Sequence, residues 1–350
     1  MKQSILLLLG LLFHQLTPVV VAQVAEKQTV YSIIKQNQSA DWFATQAGLW
    51  EQELETDPSN TEAWLNYYTA NRMLKLTNTA KNQKDLDDIV SRMSKAIPGT
   101  FEYHYITHWN YGIDKPEDGY SHLVKAQILG PNRVELFDDL LTQYELTRDI
   151  KNAKETSKRW FNSNDMAPGL YAWNYNMLAG LEPNAILITS GDNDTYPALV
   201  LQYAQDYRTD VSILNNSLLG VDSYRETYFQ ELGLPPMISK QENYQSWVEQ
   251  QQAIIDHIKS NTARPLYFAV SAQPFLYEQF KDEVYNIGMA YRWSQHVFDN
   301  IAVIKRNFEK KYLLDHLKVD LDNNISGGVV EHMNRNYLIP MLTLYNHYEE

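Results

Sequence analysis

The fold is decided by a short stretch in the middle of the chain, AILITSGDNDTYP, residues 185–197. Residues 185–189 form an apolar run with β-branched residues at alternate positions, and Gly191 ends it, a pattern typical of a buried parallel strand. The polar residues 192–195 then predict a loop. A helix is expected over residues 197–207, with one of the last two loop residues as its N-cap and the proline in its first turn.

The alternation of strand and helix continues towards the C-terminus. Further strands are predicted at residues 210–215 and 264–270, and further helices at residues 222–233 and 241–259. Strand, helix and strand in this order are typical of an open α/β sheet with parallel strands. We therefore expect residues 181–335 to form an α/β domain with a short, mostly parallel sheet.

Polar residues follow two of these strands and mark a candidate site. In open α/β sheets, ligands bind beyond the carboxyl ends of the strands, which here brings the predicted loop next to the end of the second strand. The candidate ligand-binding residues are Gly191, Asp192, Asn193, Asp194, Thr195 and Asn215. Asp192 and Asp194 are also the candidate metal ligands, because two carboxylates two residues apart can hold Mg²⁺, Mn²⁺ or Ca²⁺.

Four interpretations of this loop stay open on the sequence alone. The pair Asp192-x-Asp194 looks like the metal-binding carboxylates of nucleotide-sugar glycosyltransferases, but helical repeats precede it instead of a nucleotide-binding half-domain. Gly-Asp followed by Asn-Asn resembles the spacing of thiamine-diphosphate enzymes, although Asn193 replaces their second glycine. Asp-x-Asp-x-Thr is the motif of haloacid-dehalogenase phosphatases, but Tyr196 stands at its fifth position. In the fourth interpretation both aspartates form an Asx turn and cap the next helix.

The N-terminal half predicts stacked helix pairs. Residues 42–76 consist of a helical pattern, an Asp-Pro turn and a second helical pattern, and they resemble a tetratricopeptide repeat. The first helix must end before Pro58, and Asn60 or Thr61 can cap the second. Similar turns recur with their prolines 40, 33 and 37 residues apart, close to a period of about 34 residues with insertions. The prolines are Pro58, Pro98, Pro131 and Pro168. Residues 23–180 are therefore expected to form an α-solenoid whose concave face binds a protein or peptide.

The two ends of the chain predict an export signal and a helix. A secretory signal peptide has three parts, and they are present here as Lys2, the apolar residues 5–13 and the small or β-branched residues 20–22, so we expect residues 1–22 to be removed. An uncleaved signal anchor is the alternative. The expected location is periplasmic or secreted, with no stable membrane insertion after signal cleavage. Residues 336–350 predict a terminal helix that stops without a Gly or Asn cap, so it is either truncated or frayed.

Composition narrows the classes of function. The 350 residues include no cysteine, which excludes disulfides, thiol catalysis, iron–sulfur clusters and Cys-ligated zinc. Thirty Lys and Arg stand against 43 Asp and Glu, a net charge of −13. This charge argues against nucleic acid as a partner, because phosphates need clustered cations. His104 and His108 have the spacing of a zinc site, but no Glu follows His104 as in metalloproteases, so packed or solvent-facing histidines are expected.

Several strings in the C-terminal half resemble one protein family. They are YNML at 175–178, the stretch at 185–197, RTDV at 208–211, NNSLL at 215–219, RPLYF at 264–268 and GMAYR at 288–292. Together they make residues 165–350 similar to the soluble C-terminal region of a family of bacterial membrane proteins of uncharacterised function. That family is related to the transmembrane protein O-mannosyltransferases of the secretory pathway.

The resemblance implies a location and a kind of partner rather than a reaction. In that family the glycosyl-transfer site is expected in a multi-span membrane part with a lipid-linked sugar donor, for which this chain has no counterpart. The resemblance therefore implies an extracytoplasmic domain that recognises acceptor proteins or glycans, or that assembles with a membrane glycosyltransferase.

Taken together, these patterns predict a non-enzymatic binding or accessory protein of the cell envelope, linked to protein or surface glycosylation and without a cofactor. One alternative is an enzyme that depends on a divalent metal and acts on a phosphate or sugar at the Asp192/Asp194 loop. The other alternative is a structural component of the envelope.

Overall fold

The computed structural model describes residues 26–32, 35–36, 38–77, 81–112, 116–237, 244–319 and 326–349. The predicted signal peptide lies outside these residues. None of the helices within them is long and apolar enough to cross a membrane.

Eight α-helices precede the first strand in the described part of the chain. They are α1 Ala40–Thr56, α2 Thr61–Thr77, α3 Gln83–Ala96, α4 Phe101–Tyr111, α5 Pro116–Leu129, α6 Phe137–Leu146, α7 Ile150–Asn162 and α8 Pro168–Ala179. Helix α1 packs on α2, α4 on α5 and α6 on α7. The predicted cap between the first two helices is confirmed, because Asn60 Oδ1 accepts a hydrogen bond from Ala63 N at 3.0 Å. The tetratricopeptide pattern and the solenoid stay predictions.

The sheet has five strands in the order β2-β1-β3-β5-β4. They are β1 Ile186–Thr189, β2 Ser212–Asn215, β3 Leu266–Ala269, β4 Val284–Asn286 and β5 Ala290–Trp293. Strand β1 pairs in parallel with β2 and β3, whereas β5 is antiparallel to both β3 and β4. The prediction of a mostly parallel sheet is therefore wrong, and the sheet is mixed.

A hairpin of β4 and β5 explains the difference. Its strands are only three and four residues long and mostly half-buried, so they lack the apolar run that marks a buried strand. Gly288 turns the hairpin with a φ of +119°, and a Cβ atom there would collide with the hydroxyl group of Tyr312. A glycine is therefore needed at this turn.

Seven α-helices follow the first strand in the described part. They are α9 Asp192–Gln205, α10 Asn216–Leu219, α11 Asp222–Leu232, α12 Trp247–Asn261, α13 Asn300–Lys310, α14 Gly327–Asn334 and α15 Leu338–Glu349. The predicted helices at 222–233 and at the C-terminus are confirmed to within about two residues. Helix α12 begins at Trp247 rather than at residue 241, because Ser246 caps it by accepting a hydrogen bond from Glu249 N.

Helix α9 begins earlier than the sequence predicts. Residues 192–195 form its first turn rather than a loop, so neither Asp194 nor Thr195 is the N-cap, and Pro197 lies inside the helix. A proline lacks the N–H group that would bond to the carbonyl oxygen of Asn193, four residues earlier. The fully buried Asn174 on α8 supplies the donor instead, with its Nδ2 at 2.9 Å from that oxygen. This tertiary hydrogen bond lets the helix continue through the proline.

The largest buried apolar cluster surrounds the sheet. Its residues run from Phe137 in α6 to Tyr337. They include Trp173, which precedes the predicted domain border at residue 180, and Leu187, which follows it. Two smaller clusters hold the helices from α1 to α6 together. The predicted domain borders stay predictions, and the helices α6 to α8 contribute to the core that supports β1.

Candidate functional site

A cleft of about 410 Å³ opens at the carboxyl end of β1. Its walls come from the end of β1, the first turn of α9, the segment after β3, and α14. The described residues that line it are Ser190, Gly191, Asp192, Asn193, Asp194, Ser271, Gln273, Val329, His332 and Met333. The structure thus brings four of the six candidate residues together in one cleft.

Asp194 holds the wall of this cleft together. Its carboxylate accepts hydrogen bonds from Ser190 N at 3.2 Å, from Gly191 N at 2.8 Å and from Ser271 Oγ at 2.6 Å. The residue is only 2% exposed, and burial raises the pKa of its carboxyl group although these hydrogen bonds oppose the shift. Asp194 therefore ties the start of α9 to the end of β1 and to the segment after β3.

Asp192 has a different environment. It lies at the exposed mouth of the cleft, and none of the described residues forms a hydrogen bond or ion pair with its carboxylate. On its other side Asp192 lines a second cavity, so the carboxyl group also lies next to the protein residues that form that cavity. This partial burial raises the pKa of Asp192 to about 6, and the charges of Asp194 and Asp139 add to the shift. At neutral pH it is a mostly ionised acceptor without a protein donor.

Thr195 and Asn215 lie behind the cleft and do not line it. Asn215 Nδ2 donates to Thr195 Oγ1 at 3.0 Å, and Thr195 donates to the carbonyl oxygen of Gly191 at 2.6 Å. Asn215 Oδ1 also accepts from Ser217 N at 2.9 Å and caps the short helix α10. Both residues are buried, and their hydrogen bonds connect the ends of β1 and β2 to α9.

The cleft offers few ligands to a metal ion. Mg²⁺, Mn²⁺ and Ca²⁺ need several oxygen ligands, but protein donors already occupy the carboxylate of Asp194. Among the described lining residues, the carboxylate of Asp192 is the only other one, and Asn193 Oδ1 is buried without a hydrogen-bond partner among the described residues. In the same residues, no group of three or more His, Asp or Glu side chains is arranged to hold a metal ion. The metal at Asp192 and Asp194 stays a prediction that this donor set does not favour.

The two histidines with zinc-site spacing have separate partners. His104 Nδ1 lies 2.9 Å from Nδ1 of His122 on α5. His108 Nδ1 lies 3.0 Å from the carbonyl oxygen of Gly119, and its Nε2 lies 3.5 Å from an oxygen of Asp139. Both side chains thus connect α4 to neighbouring helices.

Six of the described lining residues were missed by the sequence-based prediction: Ser190, Ser271, Gln273, Val329, His332 and Met333. Ser271 and Gln273 come directly after β3, so the rule that identified Asp192 and Asn215 would also have found them. His332 comes from α14, and no local pattern places that helix beside β1. A hydrogen bond of 2.9 Å from Trp173 Nε1 to the carbonyl oxygen of the residue after His332 holds α14 against α8.

One of the segments that form the cleft is similar to a known domain. A family model described as TMEM260-associated domain 2 matches residues 170–233. The chain matches none of the curated proteins and none of the solved structures with which it was compared. The matched segment contains β1, α9 and β2 and all six candidate residues, and it fits a relation to TMEM260-like O-mannosyltransferase proteins.

Proposed function

We propose that the chain is an exported, non-enzymatic binding protein of the cell envelope that holds a neutral, hydroxyl-rich ligand, a glycan, in the cleft at the end of β1. The observation that carries the proposal is the mixture of donors and acceptors on the cleft wall. The amides of Gln273 and Asn193 can donate and accept, whereas the ionised carboxylate of Asp192 can only accept. A sugar hydroxyl both donates and accepts, so it suits both kinds of group.

Charge argues against a phosphate or nucleotide ligand. None of the described lining residues is Lys or Arg, the side chains that usually bind phosphates. The N-terminus of α9 would attract an anion, but two aspartates already lie in its first turn. The apolar side chains of Val329 and Met333 also suit the C–H faces of a sugar ring better than a hydrated anion.

The export and the partner rest on other parts of the chain. The N-terminal residues 1–22 support export to the periplasm or the outside. The paired helices of residues 23–180 support a solenoid that docks a protein or peptide. The similarity of residues 170–233 to a TMEM260-associated domain supports a membrane glycosyltransferase as that partner, with this chain as an accessory that presents a glycan or an acceptor.

Isothermal titration of the chain from Gln23 tests the proposed ligand class. The ligands are neutral oligosaccharides, nucleotide sugars and inorganic phosphate. We expect only the neutral oligosaccharides to bind, and we expect Gln273→Ala to raise the Kd about tenfold, because one or two hydrogen bonds are lost. The matched control is Gln230→Ala on the exposed surface of α11, which should leave the Kd unchanged. Binding of phosphate or nucleotide sugars instead would contradict the proposal and favour the enzyme.

A further inference from the structure

A second cavity of about 200 Å³ lies on the other side of Asp192. Its walls come from α2, α4, α6 and α9, so it lies between the helical half and the helix that follows β1. The residues that define its chemistry are Arg72, Trp109, Asp138, Asp139, Asp192 and Tyr196. Because Asp192 lines both this cavity and the cleft, the first turn of α9 is a wall that the two share.

Arg72 is held in place without being neutralised. Its guanidinium group lies 4.7 Å from the centre of the Trp109 ring, a cation–π contact. Although three aspartates line the same cavity, none of the described residues forms a hydrogen bond or an ion pair within 4.0 Å with the Arg72 nitrogen atoms. The planar group therefore keeps its N–H donors available to a ligand.

Two of the three aspartates of the cavity also keep free oxygen atoms. Asp139 does not, because one oxygen accepts a hydrogen bond from Trp109 Nε1 at 2.7 Å and the other lies 3.5 Å from His108 Nε2. Asp138 Oδ1 accepts one from Asp139 N at 3.0 Å, and its other oxygen has no donor among the described residues. Asp192 has none on either oxygen. Arg72 and the ionised Asp192 are opposite charges that share the cavity without touching, so they lose solvation and gain little from each other, and a ligand that bridges them would stabilise both.

We propose that the cleft and this cavity are adjacent subsites of one elongated site, and that the ligand is a linear glycan of at least two units that passes over Asp192. This inference rests on the proposed function. A cationic ligand would meet the charge of Arg72, and an anionic ligand would meet the aspartates. Neutral hydroxyl groups can accept from the guanidinium group and donate to the carboxylates. At about 30 Å³ per water, the cavity has the space of roughly seven waters, enough for one small ring.

Affinity as a function of glycan length tests this inference. The probes are glucose, mannose and N-acetylglucosamine with their linear di-, tri- and tetrasaccharides, titrated into the chain from Gln23. For the series that binds, we expect the Kd to fall at least about tenfold between one unit and three. Arg72→Gln should abolish this gain and leave the monosaccharide Kd unchanged, whereas Asp192→Asn should weaken every length.

A matched control shows whether the effect of Arg72→Gln depends on the cavity or follows the loss of any arginine that stacks on a tryptophan. Arg92→Gln removes a guanidinium group that also lies over a tryptophan, Trp64 at 5.6 Å, but it does not line the cavity, so the gain with length should persist. If Arg72→Gln does not fold, Arg72→Lys takes its place, because lysine keeps the charge and loses the planar set of donors.

The outcomes distinguish the inference from the function on which it rests. If one unit binds as tightly as three, or if Arg72→Gln weakens all lengths equally, the cavity is not a subsite and the proposed function stands. If no glycan of any length binds, both are wrong.

Discussion

Two aspartates that lie two residues apart should respond to the same substitution in opposite ways. Asp194→Asn keeps the shape of a buried side chain and removes its charge. The remaining oxygen can still accept from Gly191 N, but the new amide cannot accept from Ser190 N or Ser271 Oγ. Hydrogen bonds to a charged group contribute about 1.5–3 kcal/mol each, and removing a buried charge offsets part of their loss. We expect the free energy of unfolding to fall by about 1–3 kcal/mol.

Asp192→Asn is the matched substitution without hydrogen bonds to lose. The pKa of Asp192 is raised from its ordinary value of 3.8 to about 6. Its contribution to stability is therefore present below pH 3.8 and is lost as the pH rises through about 6. The Asn variant should be as stable as the natural chain at pH 4 and equally or more stable at pH 7. The Asp192→Asn variant should instead bind the glycan more weakly than the natural chain does.

Thermal unfolding of both variants at pH 4 and pH 7, with a titration of the glycan at pH 7, measures both effects. At about 2 °C per kcal/mol for a chain of this size, Asp194→Asn should lower the Tm at pH 7 by about 2–6 °C. An unchanged Tm for this variant would refute the role of Asp194 in the cleft wall. Equal losses of stability in the two variants would refute the distinction between them.

The other predictions concern the frame around the cleft. Burial and a neighbouring imidazole lower the pKa of His122 to about 4, so stability should fall between pH 6.5 and 4; His122→Asn should flatten that part of a pH series of urea unfolding. Trp173→Phe leaves the carbonyl oxygen of Met333 without its donor and should lower the free energy of unfolding by about 1–3 kcal/mol, measured in urea. Gly130→Ala places a Cβ atom 2.6 Å from a neighbouring side chain and should cost about 1–3 kcal/mol in the same assay. Gly48→Ala, in open space on α1, should instead stabilise by up to about 1 kcal/mol.

The sequence predicts those parts of the fold that local patterns determine. Strand β1 was found because residues 185–189 form an unbroken apolar run, and the end of α1 was found because Pro58 stops a helix. The start of α9 was not found, because residues 192–195 favour turns and Pro197 is typical of a first turn. Only a side chain from another helix, Asn174, makes the earlier start possible. The antiparallel hairpin was missed because its strands are mostly half-buried and carry no unbroken apolar run.

Local patterns likewise predict only some of the residues of the candidate site. The rule that ligands bind beyond the ends of parallel strands located the cleft through Asp192, and the same rule applied to β3 would have added Ser271. The structural interpretation of the aspartates fits Asp194, which binds the N–H groups that precede α9. No local pattern could bring Arg72 or His332 to either side of α9, because their positions depend on the packing of distant helices.

The central claim is that the cleft binds a neutral glycan without a metal ion and without converting it. The most direct measurement is a titration of the oligosaccharide that binds the chain from Gln23, carried out in EDTA and again in Mn²⁺, with the mass of the recovered oligosaccharide determined afterwards. The proposed function predicts the same Kd in both buffers and an oligosaccharide of unchanged mass. Binding that requires Mn²⁺, or a changed mass, would contradict it and make the Asp192/Asp194 turn part of an enzyme.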